Sequence, residues 1–297
     1  MTRSAIVPAP TRCRSLTLEW GTRTYVMGIL NVTPDSFSGD GVLSPEAAVN
    51  RGLALIAAGA DILDVGGEST RPGSAPIGVA EELDRVVPVI RAIRDRTDVP
   101  ISIDTSHAPV AGAALLAGAD IVNDVLGFQG SDRDLPGVSA AHGAIVVAMH
   151  NRPAQATAQT GIGGYFEAVP YEALLKEIAV SLRESVSTLI AAGVPEEHII
   201  LDPGIGFGKT PEQNLELVAR LGELRVLGRP LLVGPSRKSF IGVALDLPPD
   251  DRVEGTAAAV TLAIEHGADI VRVHDLPAMA RVAQMADAIV RGWTDDS

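Results

Sequence analysis

AGADILDVG (residues 58–66) holds three parts of a repeating unit: a small-residue helix end, a glycine turn and a strand. The phrase Ala-Gly-Ala-Asp returns at 117–120 and Gly-Ala-Asp at 267–269, each time before a β-branched apolar run. Glycine there suits the left-handed residue that ends a helix, and the run that follows has the length of a strand. Working outward, eight such runs appear: YVMGIL (25–30), DILDVG (61–66), PISI (100–103), DIVN (120–123), AIVVAM (144–149), HIIL (198–201), PLLV (230–233) and DIVRV (269–273). Between them lie segments with helical spacing, such as PEAAVNRGLALIAAG, EELDRVVPVIRAIRD and GTAAAVTLAIEHG. The runs are apolar on both faces, as parallel strands inside a ring of helices must be. Eight βα units without a composition break predict an α/β protein, a single-domain (β/α)8 TIM barrel; the alternative is an open doubly wound sheet with an added domain. Residues 1–20 read as an N-terminal extension, a strand or hairpin across the barrel floor, and 21–293 as the barrel.

Composition narrows the function. A chain of 297 residues suits either two small domains or one large barrel, and the unbroken rhythm favours the barrel. Its formal net charge of −13 argues against a non-specific nucleic-acid or membrane surface, which needs a basic footprint. An anionic ligand must therefore be held by local cations. A single cysteine, Cys13, excludes an internal disulfide and a multi-cysteine metal site. Arg3, Arg12 and Arg14 precede no apolar signal core, and no run of eighteen apolar residues occurs, so a cytoplasmic protein is expected.

In a barrel the chemistry sits at the carboxyl ends of the strands. The runs lead in turn to Asn31, to GGESTRPGS, to Asp104, to Asn123-Asp124, to Met149-His150, to Asp202-Pro203-Gly204, to Ser236-Arg237-Lys238 and to Arg272-Val273-His274-Asp275. Taken singly, Asp104, Asn123 and Asp202 fit helix caps or turns equally well. Capping does not explain why they should share one rim with Lys238 and Arg272. Met149 alone reads as core packing and His150 as a structural or solvent-facing residue. Arg272 and His274 are two apart, so in an extended segment they point the same way and favour an anion. LDPGIGFGKT (201–210) is not a phosphate loop: the Walker pattern needs glycine where Pro203 stands, and the dinucleotide pattern needs glycine where Lys209 stands. The first two rim loops join glycines to Phe37, Asp40 and Arg71, as a lid would, with Arg71 pairing phosphate and Phe37 excluding water.

The blocks MGILNVTPDSFS (27–38), GGESTRPG (66–73), SIDT (102–105), NDV (123–125), DPGIGFGK (202–209), SRKSFIG (236–242) and RVHD (272–275) resemble the ordered signature of the dihydropteroate synthases. The resemblance covers nearly the whole chain. It implies a transferase of folate biosynthesis that joins 6-hydroxymethyl-7,8-dihydropterin diphosphate to 4-aminobenzoate with release of pyrophosphate. On that resemblance Asp202, Asp104, Asn123 and Lys238 hold the pterin, while Met149, Phe207 and Arg272 enclose it. Asn31, Arg272 and His274 form the anion pocket with Arg71 closing over it. Phe37, Thr70, Pro72, Lys238 and Ser239 receive the amine. Asp104, Asp202, Lys238 and Arg71 are the expected catalytic groups, with Mg²⁺ held by Asn31 and Asp40. The family pattern has Asp-Gly-Gly where this chain has Gly39-Asp40-Gly41, which leaves the placing of Asp40 open. The segment after Met149-His150 also departs from the family run. Resemblance further implies a homodimer acting on small molecules. Two rival readings are a methyltetrahydrofolate-dependent methyltransferase and a non-catalytic pterin-binding paralogue; STRPG, SRK and RVHD disfavour the first, Phe37, Arg71 and Lys238 the second.

Overall fold

The computed structural model describes residues 7–14, 16–33, 44–68, 77–152, 158–159, 165–166 and 171–293. Of the expected site residues, Phe37, Asp40, Thr70, Arg71 and Pro72 lie outside them.

All eight expected runs are parallel strands of one sheet. A hairpin of β1 (Thr11–Cys13) and β2 (Leu16–Leu18) precedes them. The barrel strands are β3 (Tyr25–Asn31), β4 (Ile62–Gly66), β5 (Ile101–Asp104), β6 (Ile121–Asp124) and β7 (Ile145–Met149). After a small antiparallel pair, β8 (Ala158–Gln159) and β9 (Tyr165–Phe166), come β10 (Ile199–Asp202), β11 (Leu232–Val233) and β12 (Ile270–Val273). Their spatial order is β10-β7-β6-β5-β4-β3-β12-β11, and a parallel bridge between Leu201 and Leu231 joins the two ends into a ring. Around it stand α1 (Pro45–Ala57), α2 (Val79–Arg94), α3 (Ala108–Ala117), α4 (Leu135–Ala141), α5 (Leu174–Ala191), α6 (Pro211–Ala219), α7 (Ser239–Leu245), α8 (Val253–Glu265) and α9 (Leu276–Val290).

The repeated phrase has a repeated structure. Gly59, Gly118 and Gly267 have φ of +102°, +113° and +92°, a left-handed turn that glycine makes without a steric cost. The aspartate that follows then grips a strand amide and carbonyl together. Asp61 N–H donates to Val26 O and its carboxylate accepts from Val26 N–H; Asp120 does the same with Ile101, and Asp269 with Leu231. These aspartates lie at the amino ends of the strands, away from the mouth, and their work is structural.

Strand alternation divides the core in two. Met27, Ile62, Ile121, Ile145, Val147, Ile200, Leu232 and Ile270 fill the barrel interior. Their sequence neighbours, including Leu63, Val122, Val146, Leu201 and Val271, pack outward against the helices. Cys13, Leu18 and Trp20 join the interior cluster, so the N-terminal hairpin closes the floor. Trp20 Nε1 donates to Thr11 Oγ1 at 3.0 Å, which satisfies its polar edge inside the plug.

Candidate active site

On four strands, the parity of an interior apolar residue places a polar group two positions further on, toward the mouth. Ile62 is followed by Asp64 and Gly66, Ile121 by Asn123, Ile200 by Asp202 and Ile270 by Arg272. Register sets four strand-end residues side by side: Asn31 opposite Gly66, Gly66 opposite Asp104, and Asp104 opposite Asn123. Met149 ends β7 opposite Asp202 and is buried. The expected Asn31, Asp104, Asn123, Met149, Asp202 and Arg272 therefore share one end of the barrel.

Hydrogen bonds join them. Arg272 donates from Nε to Asp64 Oδ2 at 2.6 Å and from Nη2 to Asp104 Oδ2 at 2.7 Å. Asn123 turns Nδ2 toward both oxygens of Asp64, at 3.5 and 3.4 Å. Asp202 Oδ1 accepts from Gly204 N–H at 2.7 Å. A Cβ on Gly66 would stand 3.8 Å from Asn31 Oδ1 and 3.9 Å from Asp104 Oδ2, so the glycine keeps the space between them open.

Charge at the mouth is balanced but poorly solvated. Burial pushes the Asp104 carboxyl up to about 7 against the pull of Arg272, and that of Asp202 up to about 6 against its bond from Gly204 and the nearby Lys238. Burial also lowers Lys238 to about 8, with Arg272 acting the same way and Asp202 and Asp104 opposing. Arg272 is itself desolvated, yet Asp64 and Asp104 hold its pKa above the ordinary value. It stays charged throughout. These mutual influences put Asp104, Asp202, Lys238 and Arg272 within electrostatic reach of one another at the mouth.

Lys238 arrives on the loop after β11, where Arg237 takes a left-handed φ of +57° and forms a two-point pair with Asp275, Nε to Oδ2 at 2.9 Å and Nη2 to Oδ1 at 2.5 Å. The Lys238 ammonium lies 3.8 Å from the centre of the Phe207 ring. Ser239 follows at the start of α7, half-buried. His274 lies two residues past Arg272, on the interior parity, and its ring Nδ1 and backbone N–H both meet Ser236 Oγ, at 3.1 and 3.2 Å.

The Lys-Thr pair of LDPGIGFGKT has structural work. Lys209 is buried and donates to Gly204 O at 2.9 Å and Phe207 O at 3.0 Å, while its Nζ lies 3.1 Å from His150 Nδ1. Thr210 caps α6 in a reciprocal box with Gln213. Lys209 thus binds the loop's own carbonyls, in keeping with the failed phosphate-loop pattern. His150 is 1% exposed, so its solvent-facing alternative is set aside. Burial first, then Lys209 and Arg152, depress it to about 2, and a neutral ring accepts from Lys209.

Asp64 is the functional candidate absent from the sequence reading: it sits inside the apolar run DILDVG and reads there as strand interior. The signal was there in its parity with Gly66, since an acid on the inward face of a barrel strand needs a cation. Elsewhere at the rim, Glu68, Glu82 and His107 bring ligand atoms within 4.8 Å of one another, and Glu82 is already paired with His107 Nδ1 at 2.7 Å. A groove of about 600 Å³ lined by Tyr171, Lys176, Arg183, Glu216 and Arg220 lies on the outer wall between α5 and α6, away from the strand-end residues.

A barrel that gathers carboxylates, an amide, a lysine and an arginine at its carboxyl rim matches the pterin binding enzyme family model over residues 27–274, and the chain belongs to that family. Within it, the chain belongs among the dihydropteroate synthases. It is 48% identical over 286 residues to the dihydropteroate synthase of Synechocystis sp., covering 96% of each chain, and 47% identical over 274 residues to that of Bacillus subtilis, covering 92% of this chain and 91% of the relative. Among solved structures, the Clostridium difficile dihydropteroate synthase determined in the presence of pteroic acid superposes with a TM-score of 0.84 at 44% identity, covering 92% of this chain and 99% of that one. The Xanthomonas albilineans enzyme with 4-aminobenzoic acid gives 0.82 at 40% identity, covering 92% and 94%.

Proposed function

We infer that the chain catalyses the dihydropteroate synthase reaction, in which 6-hydroxymethyl-7,8-dihydropterin diphosphate and 4-aminobenzoate give 7,8-dihydropteroate and pyrophosphate. The observation that carries this is the grouping of Asp104, Asn123, Asp202, Lys238 and Arg272 at one barrel mouth, in a chain so similar to known dihydropteroate synthases.

An amino-pyrimidine edge offers N–H donors, which ionised carboxylates accept. Asp202 has one oxygen fixed by Gly204 and Oδ2 available for such an edge. Asp104 and Asn123 add acceptors beside it, Lys238 can donate to the ring's carbonyl side, and Met149, Phe207 and Arg272 supply faces for an aromatic ring. The diphosphate is assigned to Asn31, Arg272 and His274, with Arg71 from outside the described residues.

An aromatic amine is a weak nucleophile, so we assign a dissociative substitution. The bond from the pterin methylene carbon to the diphosphate oxygen breaks first, and its electrons leave with pyrophosphate. Arg272 and His274 stabilise that anion, while the carboxylates of Asp104 and Asp202 stabilise the methylene cation. The amine nitrogen then attacks the methylene carbon from the side of Phe37, Thr70, Pro72, Lys238 and Ser239, and the resulting acidic anilinium gives its proton to water. No protein nucleophile is required. Asn31 offers a neutral amide oxygen at the diphosphate end of the mouth, a donor suited to Mg²⁺ that is otherwise held by phosphates and water, and Asp40 is the second candidate ligand. When bound, the ion would neutralise charge on the leaving group.

Exposed apolar side chains on α7, α8 and α9, among them Val243, Leu262, Met285 and Ile289, support a homodimer through that wall. Among the described residues no helix is long and apolar enough to cross a membrane. The reaction is tested by supplying the pterin diphosphate and Mg²⁺ and following pyrophosphate. Release that depends on 4-aminobenzoate is expected; binding without release makes the chain a non-catalytic paralogue, and methyl transfer from methyltetrahydrofolate makes it the other rival.

A further inference from the structure

Asp64 is fully buried in the barrel interior, one step below Gly66 on the inward face of β4. Neighbouring interior positions hold Ile62, Val147 and Ile200, so an aliphatic side chain would satisfy packing there. A carboxylate in such a place is costly unless its charge is met. Its partners are Arg272, through Nε at 2.6 Å, and Asn123, through Nδ2 at 3.4 and 3.5 Å. Both belong to the mouth. Arg272 is also held by Asp104 from Nη2, so two carboxylates grip one guanidinium at two points and fix its plane. The longer approach of Asn123 is an orienting attraction: with Nδ2 drawn down to Asp64, its Oδ1 is turned the other way, as an acceptor.

We propose that Asp64 is a positioning residue for the transfer reaction: it sets the plane of Arg272, sets which end of the Asn123 amide meets the pterin, and shares the guanidinium so that Asp104 is only partly neutralised. The upward displacement of Asp104 to about 7 fits this arrangement, since burial leads it and the charge of Asp64 adds to it while Arg272 opposes. Gly66 completes the device. A Cβ there would stand 3.6 Å from Asp104 Cβ, so the space above the clamp is kept for a ligand.

The proposal rests on the reading of Asp104, Asn123 and Arg272 as pterin contacts, and the test separates the two. Asp64→Asn keeps the shape and an oxygen for Arg272 but removes the charge; Asp64→Leu is a second, apolar replacement of similar size. For Asp64→Asn we expect a folded protein whose dissociation constant for the pterin diphosphate rises about tenfold, with the KM for 4-aminobenzoate within about twofold of the parent. The acid limb of kcat/KM should move about one pH unit lower, because Asp104 has lost a like charge beside it. Asp64→Leu should fold and bind the pterin more weakly still. If Asp104→Asn weakens pterin binding while Asp64→Asn leaves both the affinity and the acid limb unchanged, the proposal is overturned and the site reading stands. If Asp104→Asn leaves pterin affinity unchanged, the site reading falls and takes the proposal with it. Failure of both Asp64 variants to fold also overturns it, by making the residue structural.

Discussion

Asp202 ends β10 with one carboxylate oxygen held by the Gly204 amide, so on the proposed reading a pterin edge would meet an acceptor whose direction is set beforehand. Asp202→Asn puts an amide donor where an acceptor is needed, and a hydrogen bond to a charged group contributes about 1.5–3 kcal/mol. Calorimetry should show pterin affinity reduced about 10- to 100-fold, with little change in melting temperature. Titration gives a second expectation. Asp202 near 6 and Asp104 near 7 must ionise to accept, whereas Lys238 near 8 must stay protonated to donate. Hence kcat/KM should fall below about pH 6–7 and again above about pH 8, a bell read from initial rates across pH. Gly206 tests the lysine's support: it has φ of +80°, and a Cβ there would lie 2.6 Å from Lys238 Cδ. Gly206→Ala costs about 1–2 kcal/mol in left-handed backbone strain and should also displace the Lys238 stem from Phe207. Turnover should drop more than stability, as paired rate and denaturation measurements will show. At this scale the strand-end residues were legible because parity follows from the apolar run that precedes them. Asp64 is legible only by half: its parity with Gly66 marks an inward acid in need of a cation, but nothing near it in the chain points to the arginine 208 residues away that neutralises it.

Among the elements, the turn that repeats through AGAD does the same job in three places. Its aspartate closes a two-way bond with a residue of the adjacent strand at the barrel's amino end. Asp61 is also paired with Arg23, at 2.7 and 3.0 Å. Asp61→Ala leaves the Val26 amide without that acceptor and should cost about 1–3 kcal/mol, seen as a lower urea midpoint with KM values unchanged. The repeat was readable because its glycine and aspartate do local work that composition displays directly. The loop after β10 was harder. Its Lys-Thr looks like phosphate chemistry until tertiary structure puts the lysine on Gly204 O and Phe207 O and the threonine on the end of α6. Failed spacing excluded the wrong answer, but only the fold shows that Lys209 holds the shape of the loop presenting Asp202. Its burial lowers it to about 7, so the stability it contributes is present at high pH and declines as pH falls from 10.5 through about 7.

Across the whole molecule, the barrel separates the parts that hold it together from the parts assigned to the proposed reaction. The mouth contains the buried Asp202 and the half-buried Asp104 and Lys238, whose displaced pKa values are those expected of the proposed site. Because burial raises the two carboxyls, the stability they contribute is complete below about pH 4 and lost as pH rises through about 6–7. The floor works oppositely. Leu18 and Trp20 from the N-terminal hairpin share one apolar cluster with Ile62, Ile121, Ile145, Ile200, Leu232 and Ile270, aliphatic side chains that carry no ionisable group. Leu18→Ala removes a fully buried side chain and leaves a cavity between plug and barrel, a change that costs about 2–5 kcal/mol. Since a domain's whole stability is about 5–15 kcal/mol, the variant should remain mostly folded at room temperature. The urea midpoint should therefore fall sharply while KM for both substrates and the pH limits of kcat/KM stay at the parent values. A shift in either KM or pH limit would mean that the floor and the mouth are mechanically coupled through the strands, and that the interior layer of Met27, Val147 and their neighbours transmits strain instead of insulating the site from it.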